Sequence, residues 1–155
     1  MKMINLKSSS FQLSKFRFIY PNEIIWKCQR CTLCCKDSCK HIRRIKLLKQ
    51  ESLTLSRKIN IPIEQFTVPT FDKTYSHEIL KNNGKCIFLN DNFCKIYDNR
   101  PLVCQFYPFE MASLENDVYQ ILFSGKECTS IDKGRKLNEK YFRDLAKNAL
   151  KYFIE

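Results

Sequence analysis

Three cysteines spaced by two residues, with a fourth directly adjoining the third (Cys28, Cys31, Cys34 and Cys35), constrain this chain more than any other feature. Two cysteines three apart can chelate one metal from a tight turn, both sulfurs reaching it at about 2.3 Å. A third at the same spacing adds a ligand from the next turn. The adjoining pair behaves differently, because neighbouring side chains diverge by about 100° in a helix and point to opposite faces of a strand. One of Cys34 and Cys35 is therefore expected to face a first site, and the other a second site or the core. Cys39, Cys86, Cys94, Cys104 and Cys128 bring the total to nine, an odd count that fits poorly with a closed disulfide framework. Lys2, Lys7, Lys15 and the run Ser8-Ser9-Ser10 interrupt the N-terminal stretch where a secretory leader would be apolar. The expected setting is the reducing cytoplasm, where structural disulfides are rare and clustered cysteines ligate metal.

The rest of the composition removes several classes. The 155 residues suit one domain, 1–155, and 44% hydrophobic residues with 13% aromatics suffice for a packed core. No run approaches the roughly 18 apolar residues of a membrane span. Gly84, Gly125 and Gly134 are the only glycines and lie too far apart to build a phosphate- or dinucleotide-binding loop. The formal net charge is +11. Four thiolates around zinc or a [4Fe–4S] cluster carry about −2 per site, so one or two such sites still leave a basic protein. Basic residues at 40–49 and along the C-terminus admit nucleic acid as a partner. No nucleic-acid motif accompanies them, and the abundance of Lys, Asn and Ile also fits an AT-rich genome.

The chain reads as short strands followed by a closing helix. Phe11, Leu13, Phe16, Phe18 and Tyr20 alternate with polar neighbours as a strand before the turn Pro21-Asn22. A helix is expected over about 49–59 with Leu53, Leu55 and Ile59 inward, and a helical turn at Ile63–Phe66 after Pro62. Residues 67–83 have no strong period and read as a loop with one strand. Short strands are expected at 84–89 and 93–97 around the turn Asn90-Asp91-Asn92, with a helical turn after Pro101. A strand follows at 117–123. Asn138 is a good N-cap for a helix over about 138–154, whose stripe is Phe142, Leu145, Ala146, Ala149, Leu150 and Phe153.

The spacing disfavours two familiar metal modules. A bacterial ferredoxin run reads C-x2-C-x2-C-x3-C-P. Here Cys35 intrudes, Ser38 stands where the fourth cysteine should be, and Lys40 rather than Pro follows Cys39. A His-x3–5-His zinc finger is absent, since His41 and His77 are the only histidines. His41, beside Lys40 and Arg43, reads as a surface residue, and Tyr97 as core rather than catalytic.

One further pattern is specific. Cys28-x2-Cys31-x2-Cys34-Cys35 is followed by Cys86-Ile87-Phe88-Leu89, by the segment from Cys94-Lys95-Ile96-Tyr97-Asp98-Asn99-Arg100-Pro101 through Cys104 to Phe106-Tyr107-Pro108-Phe109, and by Cys128. In this order the motifs resemble the CxxCxxCC family of zinc- or iron-chelating proteins, related to flagellin lysine N-methylases, over residues 26–134. The chain departs from the family pattern with Leu33 where Gly usually precedes Cys34, Gln105 where Arg usually follows Cys104, and Cys128-Thr129-Ser130 where Cys-Pro-Gly is usual.

The resemblance implies eight metal-facing cysteines, Cys28, Cys31, Cys34, Cys35, Cys86, Cys94, Cys104 and Cys128, leaving Cys39 a bystander. Eight thiolates divide into two four-cysteine sites, or serve one site with free thiols remaining. Zinc and an iron–sulfur cluster (4Fe-4S) both accept four thiolates. Arg100 can offset thiolate charge and donate to sulfur, or pair with Asp98. The aromatics Trp26, Phe88, Phe93, Tyr97, Phe106, Tyr107 and Phe109 would shield a cluster or form an ordinary core. The expected fold is a small α+β cysteine-rich domain organised by metal, with short strands and a C-terminal helix. Its expected function is metal binding with no assigned reaction and a possible protein partner. The alternatives are a protein-lysine N-methylase-like enzyme, implied by the resemblance alone, and a basic zinc module on nucleic acid.

Overall fold

The computed structural model describes residues 7–153. They form an α+β protein with short strands, a C-terminal helix and two compact units, residues 7–29 with 106–153 and residues 30–105. Among the described residues no helix is long and apolar enough to cross a membrane.

The first unit is a four-stranded sheet against the C-terminal helix. Its order is Ser8–Leu13, Phe16–Pro21, Val118–Phe123, Phe109–Ser113. The first two strands form a hairpin with Phe11 opposite Phe18, and the last two a hairpin with Met111 opposite Ile121. The inner strands run parallel, Phe18 beside Tyr119. Alternation sends Phe16, Phe18 and Tyr20 to one face. That face packs with Phe11, Phe109 and Ile121 on Phe142, Ala146 and Leu150 of the helix Glu139–Phe153. Phe142 is fully buried, stacked on Tyr20 at 5.0 Å and edge-on to Phe109 at 5.3 Å between ring centres.

Asn138 caps that helix as expected, its Oδ1 accepting the Tyr141 N–H at 3.1 Å. Phe153 departs from the expected stripe and is 46% exposed, since the buried face ends at Leu150. The strand Phe109–Ser113 was not expected. It is paired through a turn in which Asn116 and Asp117 both take positive φ, 57° and 58°.

The second unit is built from small pieces. The helix Lys49–Ile59 forms where expected and buries Glu51, Ser52 and Leu55, whereas Leu53 is 40% exposed and Ile59 only partly covered. The helical turn Ile63–Phe66 buries Phe66 against Phe88, ring centres 5.7 Å apart. Residues 67–83 hold more strand than expected: Thr67–Pro69 and Lys46–Leu47 flank His77–Ile79 in one small sheet, and Lys81–Asn82 begins a hairpin. The core joins Ile45, Leu47, Leu55, Phe66, Ile79, Cys86, Phe88 and Ile96.

Candidate metal centre

Two tight hairpins and two short helical turns carry Cys34, Cys35, Cys86, Cys94 and Cys104 of the second unit. Lys81–Asn82 pairs with Lys85–Cys86 around Asn83-Gly84, whose φ values of 49° and 71° suit a two-residue hairpin turn. Leu89–Asn90 pairs with Phe93–Cys94 around Asp91, also at positive φ. Cys104 lies in the short helix Leu102–Phe106 that Pro101 opens. Cys34 and Cys35 lie in the 3-10 turn Leu33–Cys35, entered by Thr32 at φ 63° and closed by the Cys35 N–H donating to the Thr32 carbonyl at 2.9 Å.

Asp37 fastens the first cysteine turn to the hairpin of Cys86. Its N–H donates to the Gly84 carbonyl at 2.7 Å, and its carboxylate accepts the Arg43 N–H at 2.7 Å and both contacts of Lys81 Nζ at 2.8 Å. These partners hold the Asp37 carboxyl below its ordinary range, the Lys81 hydrogen bond most of all. A bridge between Lys36 and Lys85 continues the contact. The result sets Cys34 in electrostatic reach of Cys86, Cys94 and Cys104.

Burial and neighbouring thiols push four of these cysteines up. Cys34 is raised far above a free thiol, first by its hydrogen bond with Cys35, then by burial and by the charges of Cys35 and Cys31. Burial leads the rise of Cys86, Cys94 and Cys104, and the charge of Cys34 adds to each. Cys86 and Cys94 also act on Cys104, and Cys94 on Cys86. Arg100 opposes this, lowering Cys94 and Cys104. Such a group is neutral as thiols and strongly self-repelling as thiolates, the donor chemistry a thiophilic cation relieves. Among the described residues no group of three or more His, Cys, Asp or Glu side chains is placed to hold a metal ion. Cys34 acts electrostatically on Cys86, Cys94 and Cys104, and is itself engaged by Cys35.

The remaining expected residues fall elsewhere. Cys31 is exposed, and Cys35 packs on the apolar core. Cys28 and Cys128 belong to the first unit, on segments held together by the Trp26–Ile131 bridge and by the Gln29 N–H donating to Ser130 Oγ at 3.0 Å. Ser130, where the family pattern has Gly, is thus a buried fastener, 2% exposed. Trp26 Nε1 donates to Cys128 Sγ at 3.4 Å. Cys39 and His41 are exposed. Of the expected aromatic shield, Phe93 is 51% exposed, Phe88 sits in the core of residues 30–105, and Trp26 and Phe109 pack together in the first unit. Gln105, where the family pattern has Arg, donates from Nε2 to the Arg100 carbonyl at 2.6 Å.

Arg30 was not among the expected site residues. Its guanidinium lies 4.3 Å from the centre of the Tyr97 ring, which also carries the Arg100 guanidinium at 3.8 Å. Arg30 and Tyr97 lie 67 positions apart in sequence, which hides this contact from any local pattern.

Fold and site together define a small α+β protein with a cysteine-rich, metal-chelating segment. The family model described as "CxxCxxCC: putative zinc- or iron-chelating domain" matches residues 27–129, and the chain belongs to that family. It is also similar to an uncharacterised protein of Methanocaldococcus jannaschii, 29% identical over 147 residues that cover 89% of this chain and 76% of that protein. No solved structure matches at a significant level.

Proposed function

We propose that residues 30–105 hold a thiolate metal centre, an iron–sulfur cluster or zinc, on Cys34, Cys86, Cys94 and Cys104. The observation that supports this reading is the family match over residues 27–129, together with the charge of Cys34, from the first block, bearing on Cys86, Cys94 and Cys104 of the second. Four sulfurs from four separate turns suit a metal, because one ion or cluster then cross-links segments that have little regular structure between them. Zinc would supply a rigid cross-link, and an iron–sulfur cluster would add a one-electron redox couple. The chain's own residues provide the rest. Asp37 and Lys81 hold the Cys34 turn to the Cys86 hairpin, and Phe88 and Ile96 keep water from the inner side.

The test is purification of the full chain without oxygen, followed by metal analysis and an absorbance spectrum. Broad brown absorbance with iron and sulfide identifies a cluster; a colourless protein with stoichiometric zinc identifies a zinc site. A folded chain that retains neither metal, and takes up neither on reconstitution, overturns the proposal.

A further inference from the structure

We infer that the loop 70–76 and the strand face beside it form a peripheral docking surface for anionic phospholipid, with Phe71 as the side chain that enters the bilayer. Phe71 is wholly exposed, more so than any other large apolar side chain among the described residues. Its loop joins Thr67–Pro69 to His77–Ile79 and is braced from within. The Thr70 N–H donates to the Ser76 carbonyl at 3.0 Å, and Asp72 Oδ1 accepts the N–H groups of Thr74 and Tyr75 at 2.8 and 3.2 Å. Asp72 Oδ2 accepts Lys46 Nζ at 3.0 Å, which ties the loop to the neighbouring strand. Phe71 is not an isolated apolar residue. The register sets Val68 beside Glu78 and Glu78 beside Lys46 on one face, and Val68 is exposed there. Arg44 reaches Glu78 at 3.4 Å, and Ile42, two residues before Arg44, is exposed as well. Single apolar residues are ordinary on a surface, whereas several on one charged patch mark a contact surface. The charge names the occupant. Residues 40–49 hold five basic side chains and no acidic one, and Lys73 lies two residues from Phe71. The acids of the patch are already paired, Glu78 with Arg44 and Asp72 with Lys46. Anionic headgroups complement such a surface while its apolar side chains pass below them. Nucleic acid would match the charge, but Ile42 and Val68 offer no π face on which a base could stack.

The test is sedimentation of the full chain with vesicles of phosphatidylcholine alone, or of phosphatidylcholine with an equal part of phosphatidylglycerol. The chain should sediment with the anionic vesicles and not with phosphatidylcholine, and added salt should weaken the contact. Phe71→Ser should weaken it by about 10-fold or more, the affinity equivalent of burying one such ring. The ring is fully exposed, so this variant should unfold thermally as wild type does, and lost binding is then not lost fold. Arg44→Gln/Lys73→Gln should also weaken the contact by about 10-fold or more. Leu114→Ser removes an exposed apolar side chain from the other unit and should bind as wild type does. No binding to the anionic vesicles overturns the inference, and so does wild-type binding by Phe71→Ser. Capture of a single-stranded oligonucleotide that Phe71→Ser abolishes, with the vesicles left unbound, overturns it in favour of nucleic acid.

Discussion

Glu51 is the buried acid on which the second unit turns, and replacing it separates two effects. It is 4% exposed in the first turn of the helix Lys49–Ile59. Its Oε2 accepts the Leu48 N–H at 3.1 Å, and its Oε1 accepts the Leu102 N–H at 2.5 Å. One carboxylate thus satisfies the starts of two helices, the second of which carries Cys104. Glu51→Ala leaves both N–H groups buried without an acceptor, at about 1–3 kcal/mol each, so a loss of about 2–6 kcal/mol is expected. Glu51→Gln keeps one acceptor and removes the buried charge. Burial raises the Glu51 carboxyl above its ordinary value in spite of both hydrogen bonds, so desolvation of the charge outweighs them. Glu51→Gln should therefore cost about 1 kcal/mol or less. The sign with pH follows. A carboxyl raised in the folded state contributes stability that is full below the unfolded value of 4.5 and lost as pH rises through the folded value. Wild type should lose ground to Glu51→Gln, which has no such titration, on going from pH 4 to pH 7. Urea unfolding of both variants across that range measures this. Glu51→Ala within about 0.5 kcal/mol of wild type, or Glu51→Gln as damaging as Glu51→Ala, would refute the reasoning.

Three further substitutions test the packing. Phe142→Ala should destabilise by about 3–5 kcal/mol in thermal or urea unfolding, because the ring is fully buried between Tyr20 and Phe109, while Phe153→Ala at 46% exposure should stay within about 0.5 kcal/mol. Gly84→Ala should lower the urea midpoint by the equivalent of about 1–2 kcal/mol, since φ is +71° and the new methyl would stand 3.3 Å from Asp37 Oδ2. Ser130→Ala should cost about 1–2 kcal/mol by orphaning the Gln29 N–H, and equal stability would remove its role as a fastener.

The C-terminal helix was legible because fifteen residues give the 3.6 period several turns, and Asn138 announces its start. The strands His77–Ile79 and Thr67–Pro69 were not, because three residues cannot establish a period of two and their pairing is set by partners far along the chain. Phe109–Ser113 was hidden by Pro108, although the Asn116-Asp117 pair at its turn is a signal that sequence reading could have used. At the candidate site the cysteine spacing named the donor type and the family. The hold of the Cys34 turn on the Cys86 hairpin depends on long-range staples such as Asp37 with Gly84 and Lys81, which leave no mark in local sequence. Glu51 was legible only as an acid in a first turn; its second partner, Leu102, lies 51 residues away.

The most direct measurement is metal stoichiometry in the full chain with Cys34, Cys86, Cys94 and Cys104 all replaced by Ser, beside a Cys39→Ser control and wild type, each purified without oxygen. Cys39 is exposed and lies outside the group of four, so its replacement should leave metal content unchanged. The four-fold variant should lose the metal held by residues 30–105. Wild-type metal content in the four-fold variant would contradict the account.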